Sequence, residues 1–137
     1  MSTPDLRALR AILAFSIVST GLHYTHNFVA IEDYPGAGPI TNTMTQVAIV
    51  VAWPLLTAVG LVGYRLYANG RRHAGRICLA IYSLTGLVTI GHFASGVPDI
   101  PPLFFATIFT DFIAGAAVLG FTVWSARSDA RPAAAAR

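Results

Sequence analysis

Residues 8–35 read ALRAILAFSIVSTGLHYTHNFVAIEDYP, and the reading of this stretch decides the fold. It carries Arg10 near its start, is largely apolar as far as Leu22, and then brings His23-x-x-His26 and the acid pair Glu32-Asp33. About 20 predominantly apolar residues are what an α-helix needs to cross the ~30 Å hydrocarbon core of a bilayer. The stretch therefore reads as a membrane span whose far end turns polar.

The rest of the chain agrees. Of its 137 residues, 55% are hydrophobic and 11% charged, and the mean hydropathy is +0.62. Soluble domains carry about 25% charged residues, so this composition belongs in lipid. Three further apolar segments follow, giving spans over 8–29, 43–64, 77–96 and 103–124. The fold expected is an all-α membrane protein, a four-transmembrane-helix bundle making one domain over 1–126. Residues 127–137 read as a disordered cytoplasmic tail. Pro54, inside the second span, predicts a kink there.

Arginine placement orients the bundle. All nine basic residues are arginines: Arg7 and Arg10 before the first span, Arg65, Arg71, Arg72 and Arg76 around the second loop, Arg127, Arg131 and Arg137 after the fourth. Cytoplasmic loops are the ones enriched in Arg and Lys, so both termini are expected in the cytoplasm, in a plasma (inner) membrane. Glu32, Asp33 and Asp99 then face outward. The competing reading of the N-terminus is a signal peptide with Ala11–Leu22 as its apolar core; no A-x-A site follows, and three more spans do.

Polar residues recur at helical intervals within the spans. Ser16, Thr20, His23 and Asn27 form one stripe, Thr85, Thr89 and His92 a second, and Thr107, Asp111 and Thr122 a third; Asn42, Gln46, Trp53, Thr57 and Tyr64 lie along the second span. Such faces turn towards other helices in lipid. At 1.5 Å per residue, His23 and His92 lie roughly 6–9 Å below the outer boundary and Asp111 about 12 Å below it. Thr-Gly-Leu recurs at 20–22 and 85–87, which reads either as two parallel helical-hairpin repeats or as chance.

His23, His92 and Asp111, with His26 in reserve, make the candidate site. Imidazole and carboxylate suit a transition metal ion, and three protein ligands with an open fourth position is the arrangement of a catalytic zinc. Glu32, Asp33 and Asp99 would form an acidic pocket rim that draws cations in. A catalytic metal there would activate water or oxygen against a lipid-soluble small molecule entering sideways. Three alternatives stand beside this: a proton or ion path in a transport component, a structural subunit packing against other membrane subunits, and haem b held by His23 and His92 with room made by Gly21, Gly86 and Gly91.

Other chemistry is absent from the pattern. There is no Gly-x-Ser-x-Gly elbow, phosphate-cradling loop or His-Glu-x-x-His. Cys78 is alone, which excludes an internal disulfide. No basic run is interleaved with aromatics as a nucleic-acid footprint requires. Membrane lipid is the one surrounding the residues demand.

Overall fold

The computed structural model describes residues 3–36 and 38–135. It is all-helical, without strands among the described residues: α1 (Thr3–Val29), α2 (Asn42–Ala68), α3 (Arg72–Leu87) and α4 (Pro102–Ala135), with short 3-10 segments at Ile31–Asp33 and Val88–Ala94. Four helices are long and apolar enough to cross a membrane, the third being α3 continued by the second 3-10 segment.

Local chemistry sets the boundaries. Thr41 caps α2, its hydroxyl accepting from the Met44 amide at 3.2 Å. Gly70 closes the α2–α3 turn with φ +84, a left-handed conformation that costs glycine nothing. Pro54 sits within α2 on an exposed position, where it leaves the Val50 carbonyl without its intrahelical donor.

The helices run alternately up and down. Each packs against its chain neighbours, α4 returns against α1, and the α1–α2 seam is the most sparsely packed. Glycines let α3 approach closely on both sides. A Cβ on Gly60 would meet the Tyr82 ring at 2.6 Å, and one on Gly75 the Gly63 carbonyl oxygen at 2.9 Å. On the other side Gly115 packs backbone to backbone on Ser83 and Leu87, and Gly86 on Asp111.

The interior is divided along its length. At the end carrying Arg10, Arg65, Arg72 and Arg76, the core is mainly apolar, with Leu9, Leu13, Tyr67, Leu79, Tyr82, Val118 and Phe121 beside the buried hydroxyls of Thr122 and Ser125. Towards the other end it is polar: Ser19, Thr20, His23, Asn27, Thr85, Thr89, Thr107 and Asp111 are all buried. Large apolar residues instead cover the outside, with Val18, Val51, Leu55 and Ile113 each at least 60% exposed. A soluble domain buries such side chains, so this surface suits lipid contact.

Two sequence expectations change. The third span is not one α-helix: beyond Leu87 it tightens into the 3-10 segment that carries His92. Thr89 stands at that junction, its single hydroxyl proton shared between the carbonyls of Gly86 (2.6 Å) and Ile108 (3.0 Å). The tail expected to be disordered over 127–137 continues α4 as far as Ala135; positions 136 and 137 lie outside the described residues. Asp129 explains the start of that extension, since its carboxylate pairs with both Arg72 and Arg76 and fastens α4 to the first turn of α3.

Candidate functional site

Helix α1 supplies His23 with a relative exposure of 0%, and the 3-10 segment supplies His92 opposite it. The two rings meet through their Nε2 atoms, 3.1 Å apart. Helix α4 closes the far side of His23, where Nδ1 lies 3.1 Å from the Thr107 hydroxyl and 4.0 Å from Asp111 Oδ2. Asp111 Oδ1 accepts from Ser19, whose hydroxyl also meets Thr110 at 2.7 Å. Asp111 Oδ2 is buried without a hydrogen-bond partner.

The protons in this array can be assigned from the donors. Thr107 has one hydroxyl proton and donates it to the Phe104 carbonyl at 2.5 Å. Its oxygen therefore accepts from His23, which places the proton on His23 Nδ1 and leaves His23 Nε2 bare. His92 Nε2 then donates across the 3.1 Å gap. The Asn27 amide nitrogen lies 3.3 Å from the same His92 nitrogen while its oxygen has no partner; with the amide turned over, that oxygen shares the His92 proton.

Tyr34 covers the pair from the loop after α1. Its ring centre is 5.0 Å from that of His92 and 6.1 Å from that of His23. Burial, with the carboxylates of Asp33 and Asp111 adding to it, pushes the Tyr34 hydroxyl up to about 12. It thus stays protonated and donates to His26 Nδ1 at 3.0 Å. His26 is occupied elsewhere, stacked on Phe104 at 3.8 Å between ring centres.

Of the residues singled out in the sequence, the fold brings three together, but not as a ligand shell. His23 and His92 face each other, and Asp111 stands behind His23 on its Nδ1 side. His26 joins Tyr34 and Phe104 instead. Among the described residues no three His, Cys, Asp or Glu side chains are grouped to hold a metal ion. A metal held between the two Nε2 atoms would need His92 to give up its Nε2 proton, and would then have His23 and His92 as ligands and Asp111 as the group orienting His23. Haem does not fit the pair as it stands, because the axial imidazoles of one iron lie on opposite faces of the porphyrin and these two touch. Nor is the supposed space free: Gly86 is filled by the α4 backbone and Gly21 by Trp53 at 3.3 Å, while Gly91 alone is open.

Glu32 and Asp33 in the first 3-10 segment and Asp99 in the loop before α4 are exposed at this end of the bundle, and the Asp99 amide donates to the Asp33 carbonyl at 3.2 Å. Sequence reading missed Ser19, Thr110 and Tyr34. Ser19 was within reach, being three residues after Ser16 and four before His23. Tyr34 carried no periodic signal, because a loop brings it back over the site.

A crevice of about 510 Å³ adjoins the pair, bounded by α1, α2 and the end of the third span. Its walls are mainly apolar, with no charged residue, and include the exposed side chains of Ile40, Met44, Leu84 and Val88. His92 and Asn27 stand at its polar side. Compared with known protein families, curated proteins and solved structures, the chain matches none.

Proposed function

We propose that this is a multi-pass plasma-membrane protein, with both termini cytoplasmic, that passes a proton between a lipid-soluble small molecule and the His92–His23–Asp111 array. The observation that carries this reading is that His92 belongs both to the buried array and to the crevice wall. A proton accepted at His92 is shared with His23, and the Asp111 carboxylate 4.0 Å beyond offsets the positive charge. The arginines gathered at the opposite end support the orientation under the positive-inside rule, which puts the array in the outer half of the membrane. Gly21 meets the Trp53 side chain of α2 and Gly86 the backbone of α4, and this shared placement, each on the next helix of its hairpin, is what supports a parallel hairpin repeat.

Histidine-selective ¹⁵N NMR of the full chain in lipid nanodiscs tests the centre. A proton on His23 Nδ1, and Nε2 signals of His23 and His92 that move together, are expected, with His26 and His73 unaffected by His92→Ala. Independent His23 and His92 signals would sink the relay.

One observation favours a second reading. If Asn27 donates to His92 Nε2, two bare nitrogens face each other at 3.1 Å. Two zinc–nitrogen bonds at a tetrahedral angle set nitrogens about 3.3 Å apart, so the pair would then take a transition metal. Near-stoichiometric metal in purified protein, lost in His92→Ala, would establish that reading in place of the relay.

A further inference from the structure

The crevice and the proton pattern together specify what kind of molecule would sit beside His92; the inference rests on the relay reading above. With the His92 proton on Nε2 and directed at His23, Nδ1 of the same ring is a bare acceptor. The two ring nitrogens diverge, so Nδ1 turns away from His23. It has no hydrogen-bond partner among the described residues, and His92 lines the crevice. An acceptor at the edge of an apolar cavity is satisfied by a molecule that brings a donor.

We infer that the crevice binds a neutral, hydroxyl-bearing lipid-soluble molecule, an alcohol or phenol, whose O–H donates to His92 Nδ1 while its apolar body lies between α2 and the third span. Neutrality follows from the lining, which holds no Asp, Glu or Arg. Access for an apolar molecule is consistent with Ile40, Met44, Leu84 and Val88, lining residues that are all exposed. The volume of about 510 Å³ lies within the range of small-molecule sites. Two other polar groups nearby are already engaged: the Tyr24 hydroxyl donates to the Thr85 carbonyl at 2.7 Å and the Trp53 indole to Thr20 at 3.1 Å. His92 Nδ1 is thus an acceptor left to read the ligand, with the Ser95 hydroxyl on the same lining.

The test uses two diazirine-bearing photoprobes, a long-chain alcohol and its methyl ether, with the full chain in nanodiscs. The alcohol should label peptides covering 44–56 and 84–95 in preference to the ether by about three- to tenfold, the worth of one net hydrogen bond. His92→Phe should erase the preference, with folding checked by circular dichroism. Ala48→Phe, which narrows the crevice and leaves the histidines in place, should reduce labelling by both probes. Equal labelling of the crevice by alcohol and ether would overturn the hydroxyl requirement and leave the relay to its own NMR test. Labelling spread over lipid-facing positions such as Val18, Leu55 and Ile113, unchanged by Ala48→Phe, would overturn the crevice as a binding site.

Discussion

Gly86 of α3 lies directly on the backbone of Asp111 in α4, so close that a Cβ at position 86 would collide with the Asp111 carbonyl oxygen and come within 2.9 Å of the Gly115 amide nitrogen. Backbone cannot swing aside as a side chain can. This contact fixes the register of α4 against the third span, and with it the height of Asp111 relative to His92, so the array depends on a residue with no functional group.

Gly86→Ala is accordingly expected to destabilise the bundle by about 1–3 kcal/mol, the range for overpacking a tight interior. Gly91→Ala, where a Cβ meets nothing within 4 Å, should be close to neutral. Thermal unfolding in one detergent compares the two; equal melting temperatures would contradict the close α3–α4 contact.

Tyr34 gives a pH dependence with a definite sign. Its ordinary value is 10.0 and burial raises it to about 12. The folded state therefore holds a proton that the unfolded chain loses first, and stability falls as pH rises from about 10 towards 12. The loss should be on the order of 1–2 kcal/mol. Melting curves of wild type and Tyr34→Phe between pH 9 and pH 11 should converge as the wild type weakens. Parallel curves would mean that Tyr34 is not held protonated by burial.

Asp129 bridges Arg72 and Arg76 at partly exposed positions. Exposed pairs contribute about 0.2–1 kcal/mol and are screened by salt. Asp129→Ala should speed trypsin cleavage after Arg127 by about two- to fivefold in low salt, and high salt should shrink the difference. An unchanged cleavage rate would show that the end of α4 is held by something else.

Orientation can be read chemically in a Cys78→Ser background. A membrane-impermeant maleimide added to intact cells should label Asp33→Cys and spare Arg72→Cys. Labelling of Arg72→Cys with protection at Asp33→Cys would reverse the topology.

Much of this was legible without coordinates, because two physical rules act locally. Apolar runs long enough to cross a bilayer declare themselves in composition, and helical periodicity puts Ser16, Thr20, His23 and Asn27 on one face that the fold indeed buries. Asn42 shows where periodicity stops being informative: it lies on the second span's polar series but is exposed at the start of α2. The same rules also place His26 near His23, yet Tyr34 and Phe104 draw its ring aside, and neither contact has a sequence interval that announces it.

The sequence by itself determined four apolar helices, the gathering of arginines at one end, and the presence of two histidines and an aspartate at similar depth. Tertiary structure alone decided that Asp111 stands behind His23 rather than beside His92, that Tyr34 covers the pair, and that His92 opens on a crevice. The reason is that depth follows from rise per residue, a property of one helix. Which atoms face each other depends on how helices are rotated and seated, and here that is set by backbone contacts at Gly86 and Gly115 and by the tightening of the third span at Val88.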